Sequence, residues 1–278
     1  MTDPDAELVE ALETRLFLEA IYERYGYDLR GYVPDSIRRR VGAALLKSGY
    51  AHLGELQHHV LRKPALFATV LDQLTVNVSE MFRDPGFYRV FRERVVPILR
   101  TYPQLKFWHA GCASGEEVYA TAILLMEESL YDRAQIYATD LSVSALDRAR
   151  EGVYLETQLT GFAENYRASG GSRRFEDYYS KAYGRIAMRE GLKKNVVFFQ
   201  HNLVSDYALG EMQVIFCRNV LFYFGAALRK RVLEMFAGGL CRGGFLCLGA
   251  SEAPPDAAGV PFAEFASRQR IYRQRGDA

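Results

Sequence analysis

The sequence predicts an α/β fold: a doubly wound, mostly parallel, Rossmann-like sheet with a small N-terminal all-helical domain and a small inserted β subdomain. Three observations lead there. From Ala6 to about Leu74 the pattern is helical; strands and helices then alternate from near Lys106 to Leu248; and between Glu151 and Asn195 that alternation breaks into aromatic stretches punctuated by glycine. The division expected is a helical domain at 1–75 and a sheet domain at 76–278, the latter carrying the insertion at about 152–195.

Each element follows from local pattern. Leu8, Leu12, Leu16 and Ala20 recur at fourfold spacing beside Phe17 and Ile21, Gly26 and Gly31 bracket a connection, Pro34 precedes a basic helix, and Pro64 opens another. Leu105, Phe107 and Trp108 form a short apolar entry into Ala110, Gly111, Ala113, Ser114 and Gly115, and a helical pattern starts at Glu116. QIYATD ends a second strand at Asp140, with helical spacing from Leu141 to Arg150. VVFFQ is a third apolar strand before His201, Asn202 and Leu203. Val214, Ile215 and Phe216 make a fully apolar strand that runs into Cys217, Arg218 and Asn219; Gly243 to Leu248 continues the alternation, and Phe262 to Arg273 gives an antiparallel pair.

Composition narrows the function classes. A chain of 278 residues, 49% hydrophobic, can bury one large α/β core and a small helical domain. A formal net charge of +1 argues against a strongly basic nucleic-acid binder, so electrostatic recognition has to be local. Four cysteines without a CxxC pair, and five histidines without ligand spacing to them, predict a reduced cytoplasmic protein with no metal site. The opening MTDPDAELVE has no signal-peptide core, and no apolar run approaches the roughly 18 residues that span a bilayer, so no membrane insertion is expected.

The loop after the first strand carries the chemistry. Small side chains at a strand's carboxyl end let a nucleotide-like ligand approach the backbone. Adjacent carboxylates at Glu116 and Glu117 repel a pyrophosphate and suit a cation, so the loop favours S-adenosylmethionine, with its sulfonium and ammonium, over a dinucleotide. The missing GxGxxG spacing is only negative evidence, and the two acids could instead be favourable charges in a first helical turn. Asp140 is placed to accept from ribose hydroxyls, or to cap the following helix unless Ser142 does so. Asn202 and Leu203 could hold an adenine, and Arg218 at a buried strand end requires a partner or a task.

Together AGCASGEE, ATD, NL, CRNVLFYF and NVSEMFRDP resemble the motifs of the CheR-type chemotaxis receptor methyltransferases, the S-adenosylmethionine-dependent protein-glutamate O-methyltransferases, over nearly the whole chain. The resemblance implies a class I methyltransferase fold that yields S-adenosylhomocysteine and acts on methyl-accepting chemoreceptor cytoplasmic helices, with other chemotaxis signalling proteins as further partners. It implies active-site roles for Arg83 and Tyr223, and a cofactor side made of Asn77, Ser79, Arg83, Ala110, Glu117, Asp140, Asn202, Leu203, Arg218 and Asn219. This chain has Val118 where the family commonly has Pro, Ser79 for Thr, and Gly225 for Asp after Phe224.

Arg38, Arg39 and Arg40 are read as a basic face that docks on an acidic helical substrate, against the alternative of a solvated charge run. A glutamate carboxylate is ionised at neutral pH and needs no general base to accept a methyl group. Two alternatives stand beside this one: a methyltransferase of the same fold acting on a small molecule or RNA, and a catalytically idle adaptor that binds the cofactor.

Overall fold

A computed structural model of the chain describes residues 4–75, 79–253, 255 and 259–275. The chain opens with four helices: α1 (Pro4–Tyr25), α2 (Pro34–Ser48), α3 (Leu53–Val60) and α4 (Pro64–Leu74). Pro34 and Pro64 stand in first turns, where the missing N–H costs nothing, and Gly49 ends α2 in the left-handed conformation. Phe17, Ile21, Ile37, Val41, Leu56 and Val70 share a core, onto which Tyr25 stacks Phe67 at 3.8 Å. The fourfold leucine stripe marks α1 as a helix but not its buried face. Leu8, Leu12 and Leu16 are 69%, 44% and 51% exposed, and packing begins at Thr14, Phe17 and Leu18.

A second helical run, α5 (Pro85–Val90), passes through one π-helical turn at Phe91–Val95 into α6 (Val96–Leu99) and delivers the chain to the sheet. There β1 (Leu105–Ala110), α7 (Glu116–Glu127), β2 (Ala134–Asp140) and α8 (Val143–Glu151) follow in order. Next come β3 (Val153–Leu155), α9 (Leu159–Ala168), β4 (Tyr179–Ala182) and β5 (Arg185–Met188), whose strands form a separate antiparallel sheet ordered β3-β5-β4. The main sheet resumes with β6 (Val196–Gln200), β7 (Met212–Cys217), α10 (Ala226–Gly239), β8 (Leu240–Leu248), β9 (Phe262–Ala266) and β10 (Ile271–Gln274).

The main sheet is ordered β6-β2-β1-β7-β8-β10-β9, parallel except at β10, which runs against both β8 and β9. The chain winds outward from β1 through β2 to β6, then returns to β7 on the other side of β1. That reversal leaves a crevice at the carboxyl ends of β1 and β7, the place where open α/β sheets bind ligands. Strand β6, read from sequence as an apolar strand, lies at the sheet edge with none of its residues fully buried, Val197 being 46% exposed.

The helical layer is fastened over this crevice. Ser142 Oγ and Ser144 Oγ both donate to the Asp72 carboxylate at 2.5 Å, tying α4 to the start of α8. The Val33 N–H donates to Tyr223 O and the Gly225 N–H to Gly31 O, each at 2.8 Å. A Cβ on Gly225 would sit 3.1 Å from Gly31 O, so the departure from Asp at this position lets two backbones meet closely. Among the described residues no helix is long and apolar enough to cross a membrane.

Candidate active site

A cleft of about 950 Å³, counting its open mouth, lies at the carboxyl ends of β1, β2, β6 and β7 beneath the helical layer. Its floor is the loop after β1. Gly111 is left-handed (φ 82°), and a Cβ there would stand 2.6 Å from Val220 Cγ2, so only glycine fits. Asp140 at the tip of β2 accepts the Ala113 N–H at 2.8 Å on one carboxylate oxygen and the Ser142 N–H at 3.0 Å on the other. Ser142, not Asp140, caps α8, taking the Ala145 N–H at 3.0 Å. Asp140 thus lines the cleft while it pins the glycine loop. Burial pushes its carboxyl above the usual 3.8, against the pull of these N–H groups.

The two glutamates that open α7 part company. Glu117 lines the cleft; His109 Nδ1 lies 3.2 Å from one of its oxygens and Arg218 Nη1 donates at 2.8 Å to the other. Burial would raise its carboxyl, but the Arg218 charge and the His109 contact outweigh burial and hold it below the ordinary range. Glu116 is buried away from the cleft, where its oxygens accept from Ser114 Oγ at 2.9 and 2.8 Å beside a smaller cavity. Helix α7 begins at Glu116 without a proline in its first turn, and Val118 is buried in the core.

Arg218 is itself buried and bridges two carboxylates: Nη2 donates to Asp84 at 2.8 Å, and the guanidinium stacks over Phe87 at 4.2 Å. This answers the charged residue at a buried strand end, for a buried cation shared between two anions is compensated. Asp84 follows Arg83 in a segment where Phe82 and Asp84 both have positive φ (55° and 57°), so Arg218 also holds the backbone that presents Arg83.

Across the cleft stand Ser79, Arg83, Tyr223, Arg40 and Tyr32. Among the described residues the Arg83 guanidinium and the Tyr223 and Tyr32 hydroxyls make no hydrogen bond or ion pair, whereas Arg40 donates through Nη1 to Leu74 O. Burial raises the Tyr223 phenol, and the charges of Arg40, Arg83 and Arg39 only partly offset it, so it stays protonated and able to donate. Asn202 and Leu203 line the cleft beyond β6; Asn202 uses its amide oxygen on the Val204 N–H at 3.0 Å, leaving its amide NH2 for a ligand. Asn219 lines the cleft in a left-handed conformation (φ 64°).

Two expectations change. Arg40 does not share an exposed face with Arg38 and Arg39. It is buried, donates to Leu74 O at 2.8 Å and stacks over the Tyr223 ring at 4.0 Å, because it falls on the face of α2 that buries Ile37, Val41 and Ala44. Ala110 is buried in the core with Trp108 and Ile215, and the backbone that fronts the cleft starts one residue later at Gly111. Asn77 lies outside the described residues. Sequence reasoning missed Tyr32 on the roof, His109 behind Glu117, and Glu252, whose carboxylate accepts N–H groups of the loop after β7. His109 left the clearest trace, a polar residue within the apolar strand β1.

The sequence is similar to those of known proteins. The chain matches the family described as CheR methyltransferase, SAM binding domain, over residues 77–266, and CheR methyltransferase, all-alpha domain, over residues 12–75. A Pseudomonas putida protein named "Putative methyltransferase Cher3" is 46% identical over 270 residues, covering 95% of this chain and 97% of that protein. A "Chemotaxis protein methyltransferase" of Listeria innocua is 34% identical over 239 residues, 85% of this chain and 88% of its own length. "Chemotaxis protein methyltransferase 1" of Pseudomonas aeruginosa is 34% identical over 229 residues, 78% of this chain and 81% of its own.

Proposed function

This chain belongs to the CheR methyltransferase family, whose cofactor is S-adenosylmethionine, and from that premise we propose that it methylates glutamate side-chain carboxylates on the cytoplasmic helices of a methyl-accepting chemoreceptor. The observation that carries this reading is the pair of uncommitted donors, the Arg83 guanidinium and the Tyr223 hydroxyl, on the wall opposite the glycine loop. The relatives named as chemotaxis methyltransferases support it.

The residues present fit the cofactor. Gly111 clears the backbone for a close ligand, Asp140 offers an anion to ribose hydroxyls, Asn202 offers amide donors, and Glu117 places negative charge near a cationic ligand. When bound, S-adenosylmethionine supplies an electrophilic methyl on sulfur. Arg83 presents a planar fork suited to a carboxylate, and Tyr223 a single donor. Arg40, stacked on the Tyr223 ring, fixes that ring and adds positive charge to the wall. A carboxylate acceptor is already a nucleophile, so these groups orient it and exclude water and need not take a proton. Because an anion and a cation become neutral on transfer, Arg83 should hold the acceptor without a tight permanent ion pair, which would stabilise the ground state.

The product distinguishes this acceptor from amines and RNA. Incubation with methyl-labelled cofactor and a receptor cytoplasmic fragment should give label that mild alkali releases as methanol and that mass spectrometry maps to glutamate. Alkali-stable label, or label on lysine, arginine or RNA, would overturn the glutamate assignment.

Recognition of the receptor falls to Arg38 and Arg39, with Arg38 held by Asp35 at 2.7 Å. Reversing the charge of both is expected to leave cofactor affinity unchanged and to slow receptor methylation at low salt. The deficit should fade as salt is raised, since exposed charges are screened beyond about 8–10 Å. Equal rates for the variant and wild type at low ionic strength would return these arginines to an ordinary solvated surface.

A further inference from the structure

Past the end of β8 the chain turns back at Gly249 and buries Glu252, which is 1% exposed and meets no cation among the described residues. Its carboxylate is spent on backbone. One oxygen accepts the N–H groups of Val220 at 2.9 Å and Leu221 at 2.6 Å; the other accepts those of Asn219 at 3.1 Å and Gly249 at 2.5 Å. Three consecutive N–H groups of the loop after β7 therefore converge on one side chain.

What that loop carries makes the anchor matter. Asn219 is held left-handed, a conformation that residues other than glycine adopt uncommonly. Val220 packs so closely on Gly111 that a Cβ there would meet it at 2.6 Å. Two residues beyond Leu221 stands Tyr223, under Arg40 and bonded through its carbonyl to Val33. The loop thus links the glycine floor of the cleft to the donor wall opposite.

We propose that Glu252 is a positioning residue for methyl transfer: by accepting the N–H groups of Asn219, Val220 and Leu221 it fixes the spacing between the cofactor loop and Tyr223. A carboxylate suits this task, because two acceptor oxygens can serve four donors. A glutamine keeps one oxygen and turns an NH2 toward two N–H groups, so it is nearly isosteric and cannot hold the loop. A shorter carboxylate keeps the acceptors and should restore part of the function.

The inference rests on the proposed reaction only for its rate readout, so the test has a second arm that needs no substrate. Glu252→Gln and Glu252→Asp would be compared with wild type in the full chain, first by amide hydrogen exchange. Exchange at Asn219, Val220 and Leu221 is expected to quicken about tenfold or more in Glu252→Gln while the β7 amides stay protected, and to recover partly in Glu252→Asp. In single-turnover transfer to the receptor fragment at saturating cofactor, Glu252→Gln should lose about 30-fold in rate. Its affinity for S-adenosylhomocysteine should shift severalfold at most, and Glu252→Asp should regain part of the rate. Unchanged loop exchange in Glu252→Gln, a rate within twofold of wild type, or equal losses in the two variants would overturn the proposal. Should Glu252→Gln not fold, Gly249→Ala reads the same loop from its other side, since its Cβ would stand 2.8 Å from the Asn219 nitrogen and 2.9 Å from Glu252 Oε2. Faster loop exchange there supports the proposal, and native exchange with native rate overturns it. If wild type itself transfers nothing to the receptor fragment, the proposed acceptor fails while the exchange arm still decides the role of Glu252.

Discussion

Asp140→Ala is expected to cost the chain most of its affinity for S-adenosylmethionine and S-adenosylhomocysteine, by about 3 kcal/mol or roughly 150-fold in Kd. Two losses combine. The ribose loses a charged acceptor, and the Ala113 N–H, now 2.8 Å from the carboxylate, loses the partner that pins the glycine loop. The substitution should leave α8 in place, because Ser142 supplies its cap. A pH dependence follows from the same carboxyl. Burial sets its titration above the usual 3.8, and only the ionised form accepts from two hydroxyls at once, so affinity should decline as pH falls through that raised value. Glu117 is held below its ordinary range and stays ionised in the same window, whereas burial raises Glu116 and Glu252 as it does Asp140, so the contrast with Asp140→Asn isolates the part that belongs to Asp140. Titration calorimetry from neutral pH downward checks both points, with Asp140→Asn as the variant whose affinity should be weak and nearly flat. Native affinity in Asp140→Ala, or the same acid decline in Asp140→Asn, would remove the ribose assignment.

What the sequence reveals of this site is what lies close together along the chain. The strand, glycine turn and helix start from Leu105 to Glu117 form one continuous signal, and Asp140 and Asn202 each sit just past an apolar run, so periodicity locates the floor of the cleft. The opposite wall is assembled from Tyr32, Arg40, Arg83 and Tyr223, which lie on separate segments, and composition carries no trace of their meeting. Arg40 shows how near the signal came. Three arginines in a row read as one charged patch, yet successive helical residues point about 100° apart, and Arg40 lies three after Ile37 and four before Ala44, both buried. The leucine stripe of α1 errs the other way, since spacing reports a helix and a face without saying whether anything covers that face. Glu252 is least legible: its partners are backbone N–H groups about thirty residues away, and backbone donors leave no mark on a sequence.

Arg83→Ala is expected to lower the single-turnover rate of methyl transfer by about 1,000-fold while changing cofactor affinity severalfold at most. The split follows from how the residue is held. Its backbone is fixed by Arg218, which is anchored on Glu117 and Asp84 at 2.8 Å each, so removing the side chain leaves the cofactor side of the cleft intact. The guanidinium itself makes no bond to any described residue, so its loss should cost little stability. Arg218→Met is the contrasting variant: it leaves the partly buried Glu117 carboxylate with His109 alone and frees Asp84, at about 3 kcal/mol, and should lose stability and cofactor affinity together. Tyr223→Phe removes one donor and keeps the ring under Arg40, so a loss of about tenfold in rate with native stability is expected. Arg83→Lys keeps the charge without the planar fork and should recover only a small part of the rate if two-point orientation of a carboxylate is the task. Rates at saturating cofactor, read beside calorimetric affinities and melting temperatures, separate these cases. If Arg83→Ala abolished cofactor binding and transferred normally once saturated, Arg83 would belong to the cofactor, and the acceptor would have to be held by Tyr223 and Arg40 alone.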